Sequence, residues 1–374
     1  MQFRDLKKQY ETLKPEIDQA MLDVAASSAF IMGKPVKELE TKLAEYVGVK
    51  HCVSCANGTE ALTLALKVWG IKAGDAVFVP DFTFFASAEV VSFEGATPVF
   101  VDVDSRTFNI DAKHLEQQIE KTLKEGKLTP RVIITVDLFG LPADYEAVRK
   151  IADKYHLYIL EDSAQGFGGN IKGQRACSFG DISTTSFFPA KPLGCYGDGG
   201  ALFTDNEDWA LLADSFRVHG KGAFKYDNVR IGMNSRLDTL QAAILLVKFK
   251  AFHEYELENV NKAAACYTTK LHDLVITPYI PQDYYSSWAQ YTIILKNREQ
   301  RDRLQAALKD KGIPTMIYYP TPMHAQTAFK DLGYKEGDVP VSEKLCQTVL
   351  SLPIHPYLTV EDIDTVYKAI AENL

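Results

Sequence analysis

The hydrophobic positions of the first half of the chain fall into short runs separated by amphipathic segments. Near-continuous apolar runs, rich in Val and Ile, occupy residues 76–80, 98–102, 132–136 and 157–160. Segments with helical spacing lie between and beside them, at about residues 87–93, 111–125 and 145–155. Strands that are apolar on both sides must be covered on both sides, so this alternation predicts an α/β fold. We expect a mostly parallel central sheet flanked by helices.

The pattern changes after about residue 201. Residues 237–258 carry apolar positions at helical spacing and predict one long helix. From about residue 259 onward, helical patterns alternate with short apolar runs such as residues 290–295. This arrangement predicts a smaller C-terminal α+β domain. We assign residues 1–250 to a large α/β domain that includes the N-terminal segment, and residues 251–374 to the small domain.

Length and charge narrow the class of protein. A chain of 374 residues is long enough for two domains, because single cores stop growing near ~250–300 residues. The net charge of −8 argues against nucleic acid or a membrane surface as a partner, since both favour an excess of Lys and Arg. Without a long apolar run or a signal-like start, and with scattered cysteines, the sequence predicts a cytoplasmic protein.

Two cysteines stand three positions apart, at Cys52 and Cys55. Such a pair occurs in redox and zinc motifs, but no second Cys or His pair follows at zinc spacing. The segment has the composition of a strand, on which these positions point to opposite faces. We therefore expect two buried strand cysteines and no metal site.

A first chemical candidate lies where residues 54–62 pass from a strand into a helix. Gly58 and Thr59 would stand at the helix N-terminus, where free amides and the helix dipole favour a phosphate group. The alternative is a plain turn in which Thr59 caps the helix.

Two further candidates are Asp162 and Lys191. Asp162 follows an apolar strand, and ligand groups gather at the carboxyl ends of strands in open α/β sheets. There it could pair with a pyridinium nitrogen, or it could simply serve as a turn or helix-capping residue. Lys191 lies between Ala190 and Pro192 in a glycine-rich stretch poor in charge. Such surroundings favour the uncharged amine that a Schiff base requires, although an ordinary surface lysine in a loop is the alternative.

A phosphate-type helix start, a strand-end Asp and a later Lys follow one another as in a fold-type I enzyme that uses pyridoxal 5′-phosphate (PLP). The chain resembles the DegT/DnrJ/EryC1/StrS family of sugar aminotransferases along essentially its whole length. The resemblance is carried by DL at residues 5–6, ANGTEAL at 56–62, EDSAQ at 161–165, SFFPAK at 186–191, GDGG at 197–200 and GMNSRLD at 232–238.

The resemblance implies a role for several residues around the cofactor. Lys191 would carry PLP, Asp162 would pair with its ring nitrogen and Gln165 would lie near its phenolic oxygen. The phosphate would be held by Gly58, Thr59 and Ser186.

Two more cofactor contacts follow from the same resemblance. Phe84 would stack on the cofactor ring, although the run FTFF at residues 82–85 is equally typical of a core. Asn234 would reach the phosphate from the neighbouring subunit, which implies a homodimer with shared active sites.

Within the family, the chain is most similar to enzymes that aminate position 3 of UDP-2-acetamido-2-deoxy-3-oxo-glucuronic acid. The similarity lies in residues 186–200, 234–245 and 351–358. It implies a nucleotide-sugar substrate, an amino-acid donor such as L-glutamate, and a place in surface polysaccharide or glycan precursor synthesis.

A glucuronic acid carries a carboxylate, so its pocket should offer a cation. Arg236, two residues beyond Asn234, would bind this carboxylate, unless it pairs with Asp238 instead. The family resemblance implies that Tyr319 and His324 touch the sugar nucleotide.

Three other functions stay open. The chain could aminate a 4-keto-6-deoxy or 3-keto-6-deoxy sugar nucleotide. It could be a PLP sugar dehydratase, although relatives of that kind replace the lysine that is present here as Lys191. It could also be a non-catalytic nucleotide-sugar-binding relative.

Overall fold

The computed structural model describes residues 1–224 and 226–374. The helices in this part of the chain are α1 (Leu6–Ser27), α2 (Lys34–Val47), α3 (Gly58–Val68), α4 (Ala86–Phe93), α5 (Ala112–Glu125), α6 (Tyr145–Tyr155), α7 (Glu207–Phe216), α8 (Thr239–Ala251), α9 (Leu257–Leu271), α10 (Arg298–Asp310), α11 (Pro340–Thr348) and α12 (Val360–Ala371). The strands are β1 (His51–Cys55), β2 (Asp75–Pro80), β3 (Thr97–Val101), β4 (Thr129–Val136), β5 (Tyr158–Asp162), β6 (Asn170–Ile171), β7 (Gln174–Arg175), β8 (Ile182–Ser186), β9 (Gly200–Thr204), β10 (Tyr284–Tyr285), β11 (Tyr291–Ile294) and β12 (Val349–Leu352).

Seven strands form the central sheet, in the order β1-β9-β8-β5-β4-β2-β3. Strands β8, β5, β4, β2 and β3 run parallel, while β9 pairs antiparallel with both β1 and β8. The predicted α/β architecture with a mostly parallel sheet is therefore confirmed. Strands β2 and β4 carry fully buried apolar side chains such as Val77, Phe78 and Ile133, because helices cover both faces of the sheet.

Local sequence accounts for where the helices begin and end. Asp111 caps α5 by accepting a hydrogen bond from the His114 amide at 2.6 Å, and Gly126 ends that helix in the left-handed region at φ 65°. Asp144 caps α6 in the same way, through the Ala147 amide at 3.0 Å. The helices predicted at residues 111–125 and 145–155 are confirmed, and these local contacts explain where they begin and end.

The long helix predicted at residues 237–258 is present and extends further. Helix α8 passes into a π-helical turn at Phe252–Glu256, and α9 continues to Leu271. Beyond it, α9, α10 and α12 pack on the two-stranded sheet of β11 and β12 around a separate apolar cluster that includes Tyr267 and Tyr291. The smaller C-terminal α+β part is thus observed, and the division between residues 250 and 251 stays a prediction.

One C-terminal segment returns to the large core. Met323 and Phe329 belong to the apolar cluster under the central sheet, together with Phe82 and Phe100. The segment around residue 320 therefore lies across the carboxyl ends of the parallel strands.

Cys52 and Cys55 are buried free thiols on β1, as predicted. Burial raises the pKa of Cys55 to about 12, so the thiol is inert at neutral pH. Within residues 1–224 and 226–374, no group of three or more potential ligand side chains is placed to hold a metal ion. None of the described helices combines the length and hydropathy that crossing a bilayer requires.

Candidate active site

A large cavity opens at the carboxyl ends of β4, β5 and β8. Its volume is about 1000 Å³, and its wall includes Asp162, Gln165, Ser186 and Lys191. The parallel strands place these side chains together although the sequence separates them, since residues at the carboxyl ends of neighbouring strands share one edge of the sheet. The cavity has the size and the mixed lining expected of a small-molecule site.

Lys191 lies in the loop between β8 and β9 and is half-buried. The loop folds back on itself, because the Phe187 amide donates to the Gly199 carbonyl at 2.7 Å and the Lys191 amide donates to the Phe188 carbonyl at 2.8 Å. Burial lowers the pKa of the Lys191 amine to about 8, Asp162 opposes this effect, and the nearby cation Arg4 adds to it. A substantial fraction of this amine is therefore uncharged near neutral pH.

Asp162 ends β5 and is buried at the floor of the cavity. Its Oδ2 accepts a hydrogen bond from the Ser87 hydroxyl at 2.8 Å, and its Oδ1 accepts from the Ala164 amide at 3.2 Å. Burial raises the pKa of this carboxyl, while the two donors and Lys191 lower it. A buried carboxylate held in this way is suited to face a cation in the cavity.

Gln165 joins the floor of the cavity to its far wall. Its Nε2 donates to the Tyr319 hydroxyl at 3.0 Å, and its Oε1 accepts from the Phe139 amide at 2.7 Å. Tyr319 comes from the C-terminal segment that crosses the strand ends, so this amide links the two parts of the chain. Burial holds the pKa of Tyr319 well above its ordinary value, so its hydroxyl stays protonated at neutral pH.

Helix α3 points its N-terminus at the cavity, and both Gly58 and Thr59 lie in the wall. The capping residue is Asn57, whose Oδ1 accepts from the Glu60 amide at 2.8 Å, so the alternative of a Thr59 cap is wrong. Packing here is tight: a Cβ on Gly58 would lie 2.7 Å from Cβ of Ser186. The first amides of a helix have no intrahelical acceptor, and here they are available to an anion.

Phe84 lies in the cavity wall with 55% of its surface exposed, whereas Phe82 is 1% exposed in the core. The two aromatics of the same run therefore have different environments. Phe84 stands near Tyr319, with 6.4 Å between ring centroids. The core alternative for Phe84 is wrong in this structure, and its ring is free to contact a ligand.

Asn234 and Arg236 lie outside this cavity. They border a separate recess of about 460 Å³, whose wall also includes Asp198 and Gln241. Nη2 of Arg236 donates to Oδ1 of Asn234 at 2.8 Å, and Nε of Arg236 is buried with no hydrogen-bond partner among the described residues. The contact with Arg236 that the structure shows is therefore to Asn234 and not to Asp238.

His324 lies behind the cavity wall. Its side chain is buried, its Nδ1 is 2.8 Å from Oδ2 of Asp81, and its amide donates to Oδ1 of Asp81 at 2.8 Å. The structure therefore separates the two predicted substrate residues of this segment: Tyr319 lines the cavity and His324 anchors the segment to the end of β2.

Several cavity residues were not predicted from the sequence. Ser87 is one of two serines in helix α4, which is otherwise mostly apolar. A serine in such a helix is only a weak signal for a buried polar contact. Gln290 lies in the wall with its Oε1 buried and unpartnered within the described residues, and it precedes an apolar strand run in the sequence. Arg4, which binds the Lys191 loop from the N-terminal segment, had no local signal at all.

Comparisons with known proteins match essentially the whole chain. The profile of the DegT/DnrJ/EryC1/StrS aminotransferase family matches residues 11–371. The chain is 44% identical over 373 residues to UDP-2-acetamido-2-deoxy-3-oxo-D-glucuronate aminotransferase from Pseudomonas aeruginosa, covering 99% of both chains. It is also 44% identical over 373 residues to a pleiotropic regulatory protein from Geobacillus stearothermophilus, covering 98% of this chain and 97% of the relative.

Among solved structures, a DegT/DnrJ/EryC1/StrS aminotransferase from Brucella abortus superposes with a TM-score of 0.96 at 48% sequence identity. That match covers 100% of this chain and 99% of the other. Family profile, sequence identity and superposition all extend over essentially the whole chain, so it belongs to the DegT/DnrJ/EryC1/StrS aminotransferase family.

Proposed function

We propose that this chain transfers an amino group from L-glutamate to C3 of UDP-2-acetamido-2-deoxy-3-oxo-glucuronic acid, with PLP bound to Lys191. The chain is an aminotransferase of keto-sugar nucleotides, as its family and relatives indicate. The particular sugar, the donor and the residue roles are the proposal. The observation that carries it is the convergence of Lys191, Asp162, Gln165 and the α3 N-terminus on one cavity.

The residues of the cavity fit PLP. Gly58 and Gly200 allow the close approach of backbone that a phosphate cradle needs, since a Cβ on Gly200 would lie 2.5 Å from the Asn57 carbonyl carbon. The α3 N-terminus, with Thr59 and Ser186 beside it, supplies donors for an anion. Phe84 offers an exposed ring face, and the Asp162 carboxylate is placed to pair with a protonated ring nitrogen.

When bound, PLP supplies the electron sink for both half-reactions. The protein's share is binding, orientation and proton transfer. Nζ of Lys191, uncharged in a substantial fraction of molecules, takes the proton from the α-carbon of the amino acid and later delivers one to C3 of the sugar. Asp162 would keep the ring nitrogen protonated, and Gln165, which donates a hydrogen bond to the Tyr319 hydroxyl, would lie near the phenolic oxygen of the cofactor.

We further propose a homodimer in which Asn234 and Arg236 complete the partner's site. In support, both residues border a recess outside the main cavity. Asp198 lines both the recess and the cavity, so the two lie side by side. Arg236 also keeps a buried Nε without a partner, as expected of a guanidinium that meets an anion on assembly. The carboxylate of a glucuronic acid is such an anion. We propose that the amino sugar formed serves as a precursor for surface polysaccharide or glycan synthesis.

The test begins with the absorbance spectrum of the purified protein before and after addition of L-glutamate. Conversion of the bound cofactor from its aldehyde-derived to its amine form shows the first half-reaction. The converted enzyme is then offered the 3-keto-glucuronic acid and a 4-keto-6-deoxy sugar nucleotide, and the amino sugar is identified by NMR. A protein that binds no cofactor would act as a non-catalytic relative, and preference for the 4-keto sugar would contradict the proposed position of amination.

A further inference from the structure

The five residues before α1 cross the back of the lysine loop. Nη2 of Arg4 donates a hydrogen bond to the main-chain carbonyl of Lys191 at 3.1 Å. The ring of Phe3 packs edge-on against Tyr318, with 6.2 Å between centroids, and its carbonyl accepts from the Ile354 amide at 3.3 Å. The segment therefore ties the lysine loop to the C-terminal part of the chain.

Arg4 forms no direct ion pair with any carboxylate in residues 1–224 and 226–374. Its Nη1 is buried and has no hydrogen-bond partner within the described part of the chain. The carboxylate that favours its charged form is Glu256, whose oxygens accept hydrogen bonds from Gln9 at 2.8 and 3.0 Å and from the Tyr357 hydroxyl at 2.5 Å. Burial lowers the pKa of Arg4 to about 10, so the guanidinium still carries its charge at neutral pH.

The groups that act on the Lys191 amine are few. Asp162, on the floor of the cavity, favours its protonated form, while burial and Arg4 favour the neutral form. Tyr318 and Tyr319 close the far wall as neutral phenols, and Asp198 and Glu60 are the other acidic residues of the cavity wall.

The balance matters for proton transfer. An amine with an ordinary lysine pKa is roughly 0.1% neutral at about pH 7.5, whereas one that titrates near 8 is roughly one-quarter neutral. Burial is the largest cause of this difference, and the Arg4 cation adds to it. Lys248 is a second buried lysine. Burial lowers its pKa to about 8, and Arg4 also lowers it.

We propose that Arg4 is a positioning residue for the reacting amine: its guanidinium fixes the main chain of Lys191 and places a buried cation, with one nitrogen unpartnered among the described residues, behind the loop that carries that amine. The inference rests on the proposed function, in which Lys191 Nζ is the proton-transferring group. The segment before α1 would thus influence the chemistry of the cavity, although none of its residues lines the cavity.

The test titrates the Lys191 amine directly in the full-length protein freed of cofactor. Trace acetic anhydride is applied across a pH series, and acetylation of the Lys191 peptide is followed by mass spectrometry. We expect Arg4→Gln to move the midpoint to higher pH, because a nearby cation has been removed. Arg4→Lys, which keeps the charge, should shift less. Lys8→Gln removes an exposed charge from the same segment and should leave the midpoint unchanged.

The holoenzyme supplies a second readout. The low-pH limb of the L-glutamate half-reaction should move in the same direction in Arg4→Gln, and Arg4→Met provides the same comparison if the glutamine variant is unstable. A folded variant whose Lys191 titrates as in the wild type, with a reduced rate but an unshifted pH profile, would show a merely structural role and overturn the inference. The labelling experiment uses cofactor-free protein, so its result does not depend on turnover. The proposed function is tested separately: it would fail if Lys191→Ala kept its activity.

Discussion

The hydroxyl of Ser87 donates a hydrogen bond to Oδ2 of Asp162 over 2.8 Å, from helix α4 to the end of strand β5. Both groups are buried, and the Ser87 hydroxyl also lies 3.1 Å from that of Thr83. The carboxylate proposed to face the cofactor nitrogen is therefore oriented by a helix that the sequence marked only as apolar, and this hydrogen bond opposes the rise in pKa that burial causes. This contact leads to the first prediction.

Asp162→Asn should reduce kcat/KM by about a hundredfold or more, because a neutral amide no longer holds a proton on the ring nitrogen. Ser87→Ala should have a milder effect, about fivefold, since one hydrogen bond is worth about 1 kcal/mol. Losing that donor also raises the pKa of Asp162, so the loss of rate should grow as the pH falls. Steady-state kinetics across pH measure this, and the exposed Ser92→Ala on the same helix is the control. Near-normal kcat in Asp162→Asn would mean that another carboxylate has this role.

Lys191→Ala should abolish turnover while the fold persists, because the variant lacks both the covalent anchor and the proton-transferring amine. Kinetics and circular dichroism distinguish loss of activity from loss of structure. Lys7→Ala, with its side chain 85% exposed, is a matched control that should retain activity. Substantial steady-state transamination by the Lys191 variant would exclude it as the reacting group.

Gly58→Ala should weaken cofactor affinity by about tenfold or more, equivalent to about 1.4 kcal/mol. The added methyl would lie 2.7 Å from Cβ of Ser186, so the helix start and the strand end must move apart. Absorbance titration of the cofactor-free protein measures the dissociation constant. Gly126→Ala, strained at φ 65° with nothing within 4 Å of the new methyl, should lower stability and leave cofactor affinity unchanged.

A mixture of inactive Lys191→Ala and inactive Asn234→Ala proteins should recover activity if each site takes residues from both chains. In a heterodimer, one of the two sites then receives neither substitution. Activity is measured after subunit exchange, with each variant incubated alone as the control. Heterodimers verified by native mass spectrometry but still inactive would argue that each site is built from one chain.

Arg236→Ala should cost ~1.5–3 kcal/mol in kcat/KM for the 3-keto-glucuronic acid substrate, the value of a charge-assisted hydrogen bond. A 4-keto-6-deoxy sugar nucleotide lacks the carboxylate and should lose far less. Comparing both substrates in wild type and variant isolates the carboxylate contact. Equal losses on the two substrates would remove Arg236 from carboxylate recognition.

Periodicity alone was sufficient for the α/β architecture. The apolar runs at residues 132–136 and 157–160 became β4 and β5 because strands buried on both sides must be apolar throughout, and that requirement is local. Motif order was likewise sufficient for the candidate lysine, since a strand-end Asp and a later Lys are read along the chain, and the family was identified by the resemblance of several motifs to those of its members.

Other features were decided by packing between distant segments. The sequence placed Tyr319 and His324 together near the substrate, but the tertiary structure turns Tyr319 to Gln165 in the cavity and His324 to Asp81 behind the wall. The local sequence of a loop does not determine which of its side chains will be buried.

The sequence by itself determined the strands of the sheet and the residue types required for amine transfer, because each depends on residues within a few positions. Only the tertiary structure decided that Ser87 meets Asp162, that Phe84 faces the cavity while Phe82 does not, and that Arg4 reaches Lys191 across 187 positions of sequence. The physical reason is that burial and electrostatic interaction depend on distance in space. The pKa of a lysine is set by whatever the fold brings beside it.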